Sequence, residues 1–215
     1  MIIAMDGPAG SGKGTITNLV AKKLNMINID TGATYRCIAL LVLRNNLKVD
    51  DKEKIIELTR KAKIEIDEQD RVFLNGEDVT KEIRSKEVTD IVSQISVIQE
   101  VRLILEDIQR DMAKGKDVIM EGRDITTVVF PNADYKFYLD ATPEERAKRR
   151  LKQNQEQGIE STYEEILKNI NERDYIDMNK PQGALIRTDD QIYIDSTNMT
   201  IDEVVDEVLK HIKEK

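Results

Sequence analysis

Ile2-Ile-Ala-Met5-Asp6-Gly7-Pro8-Ala9-Gly10-Ser11-Gly12-Lys13-Gly14-Thr15 sets the reading of the chain. The apolar residues Ile2 to Met5 are stopped by Asp6-Gly7-Pro8 and read as a short buried strand. From Lys13 to Leu24, the residues Ile16, Leu19, Val20, Ala21 and Leu24 recur at helical spacing. Between the two, Gly7 to Lys13 fits G-x-x-x-x-G-K, a phosphate-binding loop in the strand–loop–helix context that the motif requires. Its glycines let backbone N–H groups turn inward around phosphate oxygens, and the helix start adds partial positive charge. Lys13 is placed to reach the outer phosphates. Gly7, Pro8, Ala9, Gly10, Ser11, Gly12, Lys13, Gly14 and Thr15 are therefore the expected ATP-binding set. The hydroxyl residue usual directly after the Lys is replaced by Gly14, with Thr15 next.

Further along, short apolar runs keep alternating with helical patterns. Met26 to Ile29 reads as a second strand ending at Asp30-Thr31-Gly32, Val118 to Met120 as a third ending at Glu121-Gly122-Arg123-Asp124, Tyr135 to Leu139 as a fourth and Gln191 to Ile194 as a fifth. Helices are expected over Tyr35 to Asn45, Lys52 to Lys63, Lys86 to Gln94 and Val97 to Met112, the last with a Ser96/Gln99 capping box. Thr142-Pro143, Thr162/Glu165 and Thr200/Glu203 mark three further helix starts. Between Ile64 and Val79 the period changes to two, with a hairpin turn at Asn75-Gly76, so a small antiparallel sheet is expected there. The pattern implies an α/β fold: a five-stranded parallel sheet with helices on both faces. In such folds ligands bind beyond the carboxyl ends of the strands, where Asp6, Asp30 and Glu121 to Asp124 collect.

The chain has 215 residues with 33 Lys and Arg against 41 Asp and Glu, a net charge of -8. A single domain over 1–215 is expected. An acidic chain is poorly suited to nucleic-acid or anionic-membrane partners, so phosphate must be gripped by a local cationic cluster. Cys37 is the one cysteine. That excludes an intrachain disulfide, and the absence of a Cys/His cluster excludes a structural zinc site. No apolar run reaches membrane-spanning length, and the start lacks the pattern of a signal peptide, so a cytoplasmic protein is expected. With no long apolar stripe left without a place in the sheet-and-helix plan, a monomer is expected.

The arginines suggest a second anionic substrate. Arg36, Arg102, Arg123, Arg146, Arg149, Arg150 and Arg173 fall near the strand ends or on helices able to cover them. Arg146, Arg149 and Arg150 are three and four residues apart and share a helix face. That face is either a solvated basic stripe or a cover for a transferring phosphoryl group, whose charge arginine neutralises well.

Several stretches resemble bacterial cytidylate kinases: Met5 to Thr15, Asp30-Thr-Gly-Ala-Thr-Tyr-Arg36, Glu121-Gly-Arg-Asp124, Thr127-Val-Val-Phe-Pro131, Glu144 to Arg150, Glu172-Arg-Asp174 and Ile192-Tyr-Ile-Asp195. They keep the family's order and span nearly the whole chain. The resemblance implies a P-loop NTPase fold with an inserted monophosphate-binding subregion, roughly 31–110, and a short lid, roughly 146–176. It implies transfer of the γ-phosphoryl of ATP to CMP or dCMP, with Mg²⁺ as cofactor. Carried over by position, Lys13, Arg123, Arg149, Arg150 and Arg173 would be catalytic. Asp30, Thr31, Arg36 and Arg123 would meet the acceptor and its phosphate, and Ser93, Arg102 and Asp124 the cytosine. Arg173 and Asp177 would meet the sugar and neighbouring phosphate. No metal ligand is fixed, and Thr15 and Glu121 are the candidates to reach Mg²⁺ through water.

The chemistry of the residues agrees. A carboxylate such as Asp124 accepts from the cytosine amino group while Arg102 donates to its acceptors, and uracil reverses that pattern. Each resulting unpaired group costs about 1–3 kcal/mol. Asp124 could instead pair with Arg123 or cap a helix, and Arg173 could simply pair with Asp177. The chain departs from the family at Lys180, usually Arg, and at Thr126, usually Gly. A related kinase for AMP, UMP or shikimate, a nucleotide switch and an inactive scaffold are the competing readings.

Overall fold

A computed structural model describes residues 1–156 and 158–213. Position 157, inside the expected lid, and positions 214–215, at the end of the expected domain, lie outside the described residues. In chain order the elements are β1 (Ile2–Asp6), α1 (Lys13–Leu24), β2 (Ile27–Asp30), α2 (Thr31–Arg44), α3 (Lys52–Lys61), β3 (Ile64–Ile66), β4 (Val72–Leu74), β5 (Glu77–Asp78), α4 (Lys86–Ile95), α5 (Gln99–Ala113), β6 (Val118–Gly122), β7 (Tyr135–Asp140), α6 (Pro143–Glu156), α7 (Tyr163–Asn179), β8 (Ile192–Asp195) and α8 (Ile201–Lys213).

Five strands form a parallel sheet in the order β2-β6-β1-β7-β8. Because side chains alternate along a strand, Ile3 and Met5 face one side with Ile119, Phe137 and Ile194, where α1 and α8 pack. Ala4, Val118 and Met120 face the other, against Ile125, Val129 and Ala113. Both faces are thus covered, as the short unbroken apolar runs imply. Parallel pairing aligns Asp6 with Gly122 and Asp30 with Glu121, so the polar ends of β1, β2 and β6 share one edge.

Between β2 and β6 the chain builds a second core from α2 to α5 and the three-stranded antiparallel sheet β3-β4-β5. Asn75 and Gly76 both take left-handed backbone angles in the β4–β5 turn, as an Asn-Gly hairpin requires. A second turn residue, Asp70, also has positive φ, 59°. Its carboxylate accepts hydrogen bonds from Asn18 of α1 and Asn28 of β2, tying the insert to the sheet domain.

Two sequence expectations need correction. Helix α2 begins four residues early, at Thr31 rather than Tyr35. The Asp30 side chain caps it by accepting from the Ala33 N–H, so Gly32 lies inside the first turn instead of ending a strand. The expected Ser96/Gln99 box does not form. The Ser96 hydroxyl turns back to the Ser93 carbonyl, 2.8 Å, and α5 starts at Gln99 with Ile98 at its cap and no side-chain bond. The boxes at Thr162/Glu165 and Thr200/Glu203 do form. Cys37 lies in the insert core, where burial pushes its thiol up to about 12. His211 is half-buried, beside Glu207 and edge-on to Phe137.

Candidate active site

The loop from Gly7 to Thr15 wraps the start of α1 as its glycines predict. Gly7 passes so close to β7 that a Cβ there would sit 2.0 Å from the Leu139 carbonyl oxygen, and Gly10 and Gly12 take positive φ. Lys13 is buried, with its ammonium donating to the carbonyls of Gly7, 2.8 Å, and Pro8, 2.9 Å. Burial, and then the nearby Arg123, lower its pKa. A site that disfavours its own lysine's charge to this degree is matched to an anion that restores it. The loop is held from behind by Arg146. Its guanidinium is 2% exposed, donates to the Ala9 carbonyl at 2.9 Å and forks onto both oxygens of Asp174. Arg146 is therefore a strut joining loop, α6 and α7.

A cleft of about 690 Å³ runs from this loop between the sheet edge and the insert. Its walls include Lys13, Gly14, Thr15, Asp30, Thr31, Arg36, Ser93, Arg102, Glu121, Arg123, Asp124, Arg150, Arg173 and Asp177. The structure thus brings together nearly all the residues singled out from the sequence. Arg36 donates to the Ile83 carbonyl, 3.2 Å, and to the Thr89 hydroxyl, 2.9 Å, which ties it from α2 to the start of α4. The Thr31 hydroxyl donates to the Glu121 carbonyl at 2.7 Å, fixing the start of α2 against β6.

Gly7, Pro8, Ser11 and Arg146 lie behind the wall, and among the expected catalytic residues Arg149 is the exception. It is absent from the cleft wall, and its guanidinium binds the Ser196 hydroxyl, 3.1 Å, and carbonyl, 2.6 Å, just past β8. Arg150, one residue on, points into the cleft and bonds Gln153 at 3.0 Å.

In the wall of the same cleft, Arg102 and Asp124 form a buried ion pair. Arg102 also lies over the Tyr35 ring at 5.6 Å, stands 3.5 Å from Glu106 and donates to the Ser96 carbonyl at 3.2 Å. Its Nε, fully buried, has no hydrogen-bond partner. The pairings considered from sequence resolve differently: Asp124 pairs with Arg102 rather than Arg123, and Asp177 takes Arg123, 2.7 Å, rather than Arg173. Burial alone would push the Asp177 carboxyl up, but Arg123 and Lys180 outweigh it and hold the group below the usual carboxylate range.

That leaves Arg173 only partly compensated, by the nearby Asp177 carboxylate. Its Nε is buried without a partner. Burial, with Arg123, Arg36 and Arg150 nearby, lowers it to about 10. Glu121 is the acidic counterpart: burial, then the neighbouring Asp30, raise its carboxyl pKa. A cleft with crowded cations at one place and a buried Glu121 carboxylate sharing its wall with Lys13 and Thr15 is suited to holding phosphate-bearing ligands and a counter-cation. Among the described residues, no group of three or more His, Cys, Asp or Glu could hold a metal by itself.

The chain matches the family model described as cytidylate kinase over residues 3–214. It belongs to the cytidylate kinase family. The cytidylate kinase of Caldicellulosiruptor saccharolyticus is 50% identical over 211 residues, 97% of this chain and 93% of the relative. That of Caldanaerobacter subterraneus subsp. tengcongensis is 48% identical over 211 residues, 98% of this chain and 94% of the relative. Among solved structures, a shikimate kinase from Bacteroides thetaiotaomicron aligns over 99% of this chain and 98% of its own with a TM-score of 0.50. At 13% identity that likeness concerns the P-loop kinase fold alone.

Three departures from the usual sequence patterns acquire physical reasons. A Cβ at Gly14 would sit 2.7 Å from Glu121 Oε1, so glycine leaves room for that carboxylate. Lys180 is buried with its ammonium 3.7 Å from Asp177. Thr126 lies in a single π-type turn, residues 125–129, and its hydroxyl donates to Asp6 at 2.5 Å. Sequence reasoning missed Gly183. Its backbone covers the Arg102–Asp124 pair so closely that a Cβ would be 2.0 Å from Arg102 Nη2. Only its turn-forming context was readable.

The crowding of Arg173 yields a test. Arg173→Met keeps bulk but removes one of several mutually repelling charges. Without ligand its Tm should equal or exceed that of wild type by about 2–4 °C. Saturating inorganic phosphate at 100 times its Kd should stabilise wild type by about 2.7 kcal/mol and the variant by clearly less. A lower Tm with an unchanged phosphate response would contradict the reading.

Proposed function

We propose that this chain transfers the γ-phosphoryl group of ATP to CMP or dCMP, giving ADP and CDP or dCDP. The observation that carries the proposal is the buried Arg102–Asp124 pair in the wall of the same cleft as Lys13 and its loop. The loop and Lys13 hold the triphosphate. Arg36, Arg123, Arg150 and Arg173 take the acceptor phosphate and the charge that develops on the transferring group. Asp30 and Thr31, at the start of α2, border the acceptor side, and Asp177 meets the sugar while it orients Arg123. Ser93, Arg102 and Asp124 read the base. Asp124 accepts from the cytosine amino group, and the guanidinium donates to the ring acceptors. Arg149 supports the lid through Ser196 instead of touching phosphate.

Transfer needs no general base. The acceptor phosphate has a second pKa near ~6 and is largely ionised at neutral pH. One of its oxygens bonds to the γ-phosphorus as the bond to the leaving ADP oxygen breaks. Catalysis then consists of alignment and charge neutralisation. Mg²⁺ fits the acidic side of the cleft. It binds through few protein carboxylates, substrate phosphates and water, which agrees with Glu121, Asp30 and Thr15 lining the wall without forming a closed metal cage. Bound there, it would neutralise phosphate charge. Water must be excluded from the γ-phosphate, so residues 31–110 and 146–176 are proposed to close over the two substrates. A monomer in the cytoplasm is the setting proposed. Among the described residues no helix is long and apolar enough to cross a membrane.

The experiment is ADP release from ATP and Mg²⁺ with CMP, dCMP, UMP, AMP, GMP and shikimate. Turnover should be greatest with CMP and dCMP, and Lys13→Met should lower kcat by about 10²-fold or more. Turnover with another acceptor alone would overturn the cytosine reading, and none with any would overturn the kinase reading. In the same preparation, an ATP–CMP bisubstrate analogue should slow hydrogen exchange in both 31–110 and 146–176. Unchanged exchange in either would remove that segment from the closing machinery.

A further inference from the structure

The Arg102–Asp124 pair is held by a buried network that starts beneath the phosphate-binding loop. Asp6, 0% exposed at the end of β1, accepts from the Ile125 N–H and the Thr126 N–H, each 2.8 Å, and from the Thr126 hydroxyl. Those residues directly follow Asp124. The Asp124 carbonyl in turn accepts from the Val128 N–H at 2.8 Å. One carboxylate thus pins the turn that carries the base-facing acid.

Gln191, just before β8, joins this network from the other side. Its Oε1 accepts from the Thr188 N–H at 2.8 Å, which leaves its amide NH₂ to donate to Thr126 Oγ1. Both directions are fixed: Thr126 Oγ1 accepts from Gln191 and gives its single proton to Asp6. Gln191 Nε2 also approaches the Ile186 carbonyl at 3.5 Å. The residues it ties belong to the segment that follows α7. There the Leu185 N–H donates to the Asp177 carbonyl at 2.8 Å, and Gly183 presses on the ion pair. Asp6, Thr126 and Gln191 therefore connect the turn under the pair to the loop over it. All three are buried, and none of them lines the cleft.

We propose that Thr126 and Gln191 are positioning residues for base selection, clamping the Arg102–Asp124 pair between the 124–129 turn and the 183–188 loop. This rests on the base-reading role proposed for that pair. A carboxylate–guanidinium pair discriminates an amino group from a carbonyl only while its geometry is fixed, because a loose pair can rotate to satisfy either. Thr126 and Gln191 bond to the acceptor side and to Asp6 but to no residue of the loop from Gly7 to Thr15, so their loss should fall mainly on one substrate.

The test compares wild type with Thr126→Val, Thr126→Ser and Gln191→Met. CMP, UMP and ATP binding are measured by calorimetry, with steady-state kinetics and thermal unfolding alongside. Thr126→Val and Gln191→Met should raise KM and Kd for CMP about tenfold and lower the CMP-over-UMP ratio by a similar factor. KM for ATP and kcat should stay within about twofold, and Thr126→Ser should behave as wild type. If Thr126→Val does not fold, Gln191→Met leaves the Asp6 bonds in place and carries the same readouts. Folded variants with unchanged CMP affinity and CMP-over-UMP ratio would overturn the proposal. So would equal losses for ATP and CMP that track a lowered Tm, the mark of a merely structural role. Wild type that binds CMP and UMP alike would overturn the base-reading role itself, and the clamp with it.

Discussion

Arg36, Arg123, Arg150 and Arg173 face one cleft, and their mutual repulsion is written into Arg173, which is lowered to about 10 by burial and those three neighbours. Like charges stay this close only if the scaffold is more stable than their repulsion is costly. The parallel sheet supplies that scaffold. Its strands are buried on both faces, and their carboxyl ends meet at one edge. There Asp6 fixes the 125–126 backbone, Asp30 caps α2 and Asp177 neutralises Arg123. The Arg146–Asp174 fork joins α6 and α7 to the loop. These pairings separate the arginines engaged with backbone and carboxylate partners from those proposed to meet substrate.

The same logic separates charge that is spent inside the protein from charge that is available. Arg146 and Arg149 make most of their bonds to backbone carbonyls and to partners outside the reacting end of the cleft. Arg173 makes none through its buried Nε, and Arg102 leaves one N–H unmet beside Asp124. Unsatisfied buried donors are costly in a finished structure, which supports the proposal that a ligand meets Arg102 and Arg173.

The fold was legible because strand, loop and helix each carry a local signal. Ile2 to Met5 is an apolar run, the glycines of 7–14 permit the loop, and the helical spacing begins at Lys13. Asn75-Gly76 fixed the hairpin for the same reason. Most cleft residues were legible through motif order. The failures came where local propensity lost to tertiary partners. Ser96 has the chemistry of an N-cap, but its hydroxyl bonds back to Ser93, and its carbonyl receives Arg102. Gly32 resembled a strand stop, but Asp30 caps a helix through it. The three arginines of α6 were indistinguishable on one helix face and differ only by what α7, Ser196 and the cleft offer each of them. Gly183 and Gln191 lie far from Asp124 in sequence and carry no pattern of their own, so only the fold reveals their convergence.

Asp124, held by Arg102, is proposed to select the base by accepting from an amino group. The most direct measurement is calorimetric titration of CMP and UMP into wild type and Asp124→Asn. Wild type should prefer CMP by about tenfold or more, in line with one mismatched buried group. In the variant the new side-chain NH₂ can donate to the uracil carbonyl, so the preference should collapse or reverse towards UMP. A variant that keeps the wild-type preference for CMP would contradict the claim and place base selection elsewhere in the cleft.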